Sequence, residues 1–176
     1  MAIFKRNLTS KILEDTALEV LSKKSTCRKC LEVGCGDFNI SSNLFKNFPS
    51  WSFSGSDISD EAINIAVKND IKNIFDLRVG ELFEPWVGEK FDIIISDVAS
   101  ISEVVASYTD WYDGVSCNTG LDGMLLIEKI IISAKDHLLD DGVFIIPYIS
   151  ISDVDKQKKI LEENFSNVEY VNEKEW

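Results

Sequence analysis

The chain has 176 residues, 45% of them hydrophobic; one domain of that length buries about 70% of the surface its unfolded chain exposes, which excludes intrinsic disorder. Eighteen basic side chains against 30 acidic ones leave a net charge of −12, and that balance excludes a protein that coats nucleic acid, because neutralising phosphates takes clustered Lys and Arg. The charge is uneven: residues 1–30 hold seven basic and three acidic side chains, so a basic arm precedes an acidic body. No run approaches the roughly 18 apolar residues of a membrane span, and the start MAIFKRNLTSKILEDTALEVL lacks the apolar stretch of a secretory leader. Cys27, Cys30, Cys35 and Cys117 match no disulfide framework, so a cytoplasmic protein with reduced thiols is expected. Cys27-Arg-Lys-Cys30 lacks a second ligand pair from Cys35, Cys117 or the sole histidine, His137, and no metal site is expected.

Along the chain the hydrophobic period alternates. Thr9–Leu21 sets Ile12, Leu13, Ala17, Leu18, Val20 and Leu21 at mainly helical spacing behind a Thr9 or Ser10 cap. It reads as a basic N-terminal helix, residues 1–28 with its flanks, packed on a domain formed by 29–176. Strand candidates follow at Cys30–Cys35, Trp51–Ile58, Phe75–Val79, Phe91–Ser96, Val143–Ile149 and Val168–Val171, each a short apolar run bounded by Gly, Asp or Ser. Helical patterns lie between them at Ile40–Phe48, Asp60–Asn69, Met124–Leu139 and Val154–Phe165, with a further short helix at Ser102–Ser107. This alternation predicts an α/β fold, a doubly wound parallel sheet of six strands covered on both faces.

LEVGCGDF (31–38) runs an apolar strand into Gly34-Cys35-Gly36 ahead of a helix. Missing Cβ atoms in such a turn let a ligand approach backbone amides. A dinucleotide fingerprint needs a third glycine where Asn39 stands, so NAD and FAD are disfavoured. Glu32 precedes the first glycine, either supporting a cofactor or capping a neighbouring loop's amides. Asp57 ends the next strand in GSDIS, twenty-one residues after Gly36; there a carboxylate can accept both hydroxyls of a ribose or cap the following helix.

These motifs resemble those of the class I S-adenosylmethionine-dependent methyltransferases, whose sheet is Rossmann-like, and the resemblance runs in order over about residues 29–150. It implies S-adenosylmethionine as cofactor, with Gly34, Cys35 and Gly36 at the methionine moiety, Asp57 on the ribose and Ile58 against the adenine. VGELFEP (79–85) is similar to the segment that reaches the adenine amino group, implying Glu81 and Leu82 there. FDIIISD (91–97) is similar to the fourth strand, implying Asp97 beside the reacting methyl.

Within that superfamily, ELFEP and GLDGM (120–124) resemble the HemK-type branch, which methylates the side-chain amide of glutamine. Where that branch has an Asn-Pro-Pro-aromatic tetrad, this chain has Asp97-Val98-Ala99-Ser100. Losing both prolines removes the rigid backbone that aims a carbonyl, and losing the aromatic removes a stacking face. A carboxylate at position 97 suits an amine, guanidine or hydroxyl, which it can hold by a charge-assisted hydrogen bond or relieve of a proton. Ser-Asp-Val-Ala is also similar to ribose 2′-O-methyltransferases, but their lysine after the next strand has no counterpart in IIPYISIS (145–152). The expected function is methyl transfer to an N or O nucleophile of a small molecule or peptide side chain. A HemK-like protein glutamine methyltransferase and a non-catalytic module of the same fold are the alternatives.

More than twenty residues connect Val98 to Asp122, where α/β loops take roughly 2–6. Tyr108, Trp111 and Tyr112 in this connection read as a substrate enclosure, or else as rings covering the sheet end. From Phe91 through Glu128 there are seven acids and no Lys or Arg, so an acidic, aromatic mouth predicts a cationic or neutral acceptor. After NVEYVNEKEW no sequence is left for the superfamily's antiparallel seventh strand. An uncovered sheet edge is the expectation, a site for homodimerisation or for missing sequence of a longer native chain.

Overall fold

The computed structural model describes residues 7–24, 28–69, 74–109 and 119–174. Helix α1 (Leu8–Ser22) opens with a capping box in which the Asn7 side chain accepts Ser10 N at 3.0 Å and the Ser10 hydroxyl accepts Asn7 N at 3.5 Å. The cap is therefore Asn7, ahead of the expected Thr9 or Ser10, because its extended backbone and short side-chain oxygen reach the third helical amide. Strand β1 (Lys29–Val33) follows, then α2 (Asn39–Asn47), β2 (Ser52–Asp57), α3 (Asp60–Asn69), β3 (Asp76–Val79) and β4 (Phe91–Ser96). After these come α4 (Glu103–Ser107), α5 (Leu125–Ala134), β5 (Leu138–Ile145) and α6 (Val154–Asn164).

All pairings are parallel, in the order β3-β2-β1-β4-β5. Successive strand residues point to opposite faces, and both faces are covered. Cys30, Ile93 and Ile95 meet Leu13, Ala17 and Leu21 of α1, Ile40 and Leu44 of α2, and Ile63 and Ala66 of α3. Leu31, Val33 and Ile94 face the other way onto Ile130 and Ala134 of α5, and α6 packs on α5 through Ile160 and Leu161. The chain winds outward from β1 to β3, then returns to β4 on the opposite flank of β1. That reversal falls between β1 and β4, whose carboxyl ends mark the place where doubly wound sheets bind ligands.

The sheet has five strands among the described residues, where six were expected. Val168–Val171 forms no strand; ahead of it Phe165 stacks on Phe144 of β5 at 5.7 Å, and within it Tyr170 meets Tyr148 edge-on at 5.1 Å. Asn172 Nδ2 then donates to Thr16 Oγ1 of α1 at 2.9 Å. Side-chain contacts hold this tail without ladder hydrogen bonds. No helix among the described residues is long and apolar enough to cross a membrane.

Candidate functional site

Because all five strands run one way, the residues after Val33, Asp57, Val79, Ser96 and Ile145 gather on one side of the molecule. Gly34 there adopts φ +70°, and a Cβ on it would lie 2.5 Å from Val98 Cγ1, so only glycine lets the loops after β1 and β4 meet. Gly34 N and Cys35 N donate to Ser56 O at 2.8 and 3.0 Å, which ties the glycine loop to β2. Cys35 is buried and turns inward against the core.

Phe38 caps α2 from a left-handed backbone, φ 62°, and offers no side-chain bond. That geometry costs a non-glycine residue about 1–2 kcal/mol. It is offset by ring packing: Phe38 lies on the bare Cα of Gly55, where a Cβ would be 2.6 Å from the ring, and edge-on to Phe75 at 5.0 Å. The missing cap comes from β1, since Glu32 Oε2 accepts Ser41 N at 2.9 Å. Glu32 is only 2% exposed. Burial raises its carboxyl to about 8, opposed by hydrogen bonding from Ser41 and assisted by the charges of Asp97 and Asp37. Of the two roles read for Glu32, the contact seen is amide capping, which holds the glycine loop's helix from behind.

Asp57 Oδ2 accepts Gly36 N and Oδ1 accepts Ser59 N, both at 2.9 Å. Helix α3 is capped by Ser59, whose hydroxyl accepts Ala62 N at 3.2 Å, so Asp57 braces the glycine loop rather than the helix. An ionised carboxylate has about four acceptor positions. One on each oxygen remains, a pair spaced for a vicinal diol. Ile58 beside it is 67% exposed.

Leu82, at φ 49°, is held by a buried chain of hydrogen bonds. Trp86 Nε1 donates to Ser56 Oγ at 2.9 Å, and that hydroxyl donates to Leu82 O at 3.1 Å. The Arg78 guanidinium sits 4.0 Å over the Trp86 ring. Glu81 pairs with Lys129 of α5 at 3.3 Å, beside a cleft of about 540 Å³ that Leu82 and Ile132 also line. Neither Trp86 nor Lys129 carries a local sequence signal for this work.

Asp97 follows β4, and its Oδ2 accepts the Ser10 hydroxyl of α1 at 2.5 Å. Sequence reasoning took Ser10 only as a helix cap. Tyr108 ends α4 and is 86% exposed, while Trp111 and Tyr112 lie outside the described residues. The seven acids of 91–128 do not collect at one mouth. Asp92 stands at the opposite end of β4 on Arg28, Asp122 and Glu128 share Lys156 at 3.0 Å each, and Glu103 accepts Gly120 N at 3.0 Å. Asp110 and Asp113 lie outside the described residues.

Comparison with known proteins follows the same lines. A family model described as a methyltransferase domain matches residues 24–175. The release factor glutamine methyltransferase of Streptococcus pneumoniae is 33% identical over 120 residues, covering 64% of this chain and 42% of that protein. The ribosomal protein uL3 glutamine methyltransferase of Xylella fastidiosa is 26% identical over 123 residues, covering 66% and 36%. The chain thus spans roughly two fifths of the length of these curated relatives. Among solved structures, the ribosomal protein L11 methylase of Lactobacillus delbrueckii subsp. bulgaricus superposes with a TM-score of 0.61 at 22% identity, over 90% of this chain and 69% of that one, which shows the shared fold.

Proposed function

The chain belongs to the methyltransferase-domain family matched over residues 24–175, and from that premise we propose that it binds S-adenosylmethionine and transfers the methyl group to a nitrogen or oxygen nucleophile on a small molecule or peptide side chain. The observation that carries this reading is Asp57 braced on Gly36 N across the ends of neighbouring strands, with an exposed Ile58 beside it. In this reading Asp57 takes the ribose hydroxyls, Ile58 and Leu82 line the adenine, and Glu81 faces its amino group. Gly34, Cys35 and Gly36 present backbone to the methionine moiety, and Glu32 supports that loop through α2.

Bound S-adenosylmethionine supplies an electrophilic methyl on a sulfonium. Asp97 would hold the acceptor's N–H or O–H by a charge-assisted hydrogen bond and take up the proton released as the new bond to the methyl carbon forms and its bond to sulfur breaks, the neutral thioether leaving. Holding the nucleophile in line at contact distance supplies much of the acceleration. Tyr108, with Trp111 and Tyr112, encloses the acceptor, which is neutral or cationic beside a carboxylate. A glutamine amide is the second reading, favoured by the relatives' names. Asp97 in place of the tetrad's Asn puts amines and hydroxyls first, since a carboxylate only accepts where the amide both accepts and donates. A cytoplasmic location suits the buried free thiols of Cys30 and Cys35.

Thermal melting tests the proposal. At about 100 times its Kd, S-adenosylmethionine raises Tm by roughly 5–10 °C, and Asp57→Ala abolishes the rise. An unchanged Tm at millimolar cofactor overturns the reading. Methyl-labelled cofactor added to a fractionated extract then separates acceptors, by label in small molecules or in protein.

A further inference from the structure

We propose that Ser10 positions Asp97, making the N-terminal helix α1 a working part of the catalytic end of the sheet. The inference rests on the reading of Asp97 as the carboxylate that faces the acceptor. Eighty-seven residues separate the two partners, yet the Ser10 hydroxyl meets Asp97 Oδ2 at 2.5 Å. Ser10 is 2% exposed. Distance decides between the capping box and the carboxylate for its single proton. Asn7 N donates to the Ser10 oxygen at 3.5 Å and the Asn7 side chain takes Ser10 N at 3.0 Å; of the two acceptors within reach of the hydroxyl proton, Asp97 Oδ2 at 2.5 Å is far nearer than Asn7 Oδ1 at 3.4 Å. Neither partner is loosely held. Leu13, Ala17 and Leu21 bury α1 in the core, and the Asn43 amide of α2 donates to Glu14 at 3.2 Å. Asp97 follows Ser96, whose hydroxyl donates to Val33 O at 3.1 Å.

A hydroxyl donated to a carboxylate fixes its rotamer and favours its charged form. Glu32 on β1 is a buried carboxyl that the charge of Asp97 helps to keep protonated and therefore uncharged. Ser10 thus supplies a neutral donor to the Asp97 carboxylate.

The test uses the full chain without ligand, labelled with 13C at the aspartate carboxyls, with Asp97→Asn assigning the resonance. Ser10→Ala moves the Asp97 titration midpoint upward by about 0.5–1 pH unit, and Ser10→Thr holds it near the original value. A role confined to capping α1 predicts a lower Tm with the titration unmoved, and that result overturns the proposal. Should Ser10→Ala fold poorly, Ser10→Cys keeps the side chain with a weaker donor and shifts the midpoint the same way. In label transfer, Ser10→Ala lowers kcat about tenfold while the Kd for S-adenosylmethionine stays within about twofold; a wild-type kcat counts against the positioning role. The titration needs neither cofactor nor acceptor, so its failure leaves the methyl-transfer reading standing, and failure of cofactor binding leaves the titration result intact.

Discussion

At the amino ends of the strands, Asp92 accepts the Arg28 guanidinium at 2.7 Å and Lys29 N at 2.9 Å, and Asp141 shares the same guanidinium at 3.2 Å. At the carboxyl ends of the same strands, Asp57 is braced by two loop amides and Asp97 by a serine hydroxyl. The amino end even holds a cleft of about 450 Å³ lined by Arg28, Lys29, Lys90 and Asp92. Its charges close on one another, with Lys24 and Lys90 also capping the carbonyls of Asp141 and Leu138. A concavity whose walls satisfy each other has little bonding left for a ligand. Asp57, held by backbone amides, keeps acceptor positions available, and the exposed apolar Ile58 lies beside it.

The largest expected effect pits the two ends against each other. Asp57→Ala weakens S-adenosylmethionine at least about 100-fold by calorimetry, the loss of two charged hydrogen bonds. Asp92→Ala lowers Tm by roughly 5 °C and leaves that affinity within about twofold; the reverse pattern breaks the comparison. Glu32→Gln comes next and is read by pH. The folded carboxyl keeps its proton to about 8 against an ordinary 4.5, so between those values the folded state binds the extra proton and stability falls as pH rises, by up to about 1.4 kcal/mol per unit. Denaturant midpoints from pH 5 to 8 should decline more steeply in the wild type than in Glu32→Gln; parallel curves show that Glu32 titrates normally. Trp86→Phe leaves Ser56 without its indole donor and loosens Leu82, costing several degrees of Tm and roughly threefold to tenfold in cofactor affinity. Lys129→Ala removes only an exposed pair with Glu81, and Tm shifts by less than about 2 °C.

Helix α3 and strand β4 begin and end where the sequence places them, at Asp60–Asn69 and Phe91–Ser96. Each has an unbroken period and a polar boundary of its own. Strand β5 spans Leu138–Ile145 instead of 143–149. Asp140-Asp141-Gly142 reads as a turn, but on an edge strand with a register irregularity opposite Phe91–Ile93 those side chains stay exposed while the backbone continues. Beyond Ile145 no strand continues because its neighbour β4 has already ended at Ser96. Val168–Val171, apolar and β-prone, forms no strand, and Tyr170 packs on Tyr148 instead.

The site divides in the same way. That Gly34, Gly36, Asp57 and Asp97 share one end was legible because each lies at or within three residues of a strand's carboxyl end, and parallel strands bring such positions together. The donors that hold them were not. Ser10 on Asp97 and Trp86 on Ser56 join groups 87 and 30 residues apart, and no local pattern marks either. The sequence by itself determined the alternation of strand and helix, the parallel sheet and the end at which its motifs meet, since hydrophobic period and strand punctuation are properties of neighbouring residues. Only the tertiary structure decided which amide or hydroxyl satisfies each carboxylate, that Glu32 is buried and prefers its proton, and that the acids of 91–128 go to different places. Hydrogen bonding, desolvation and charge pairing are settled between groups that the fold, not the chain, makes neighbours.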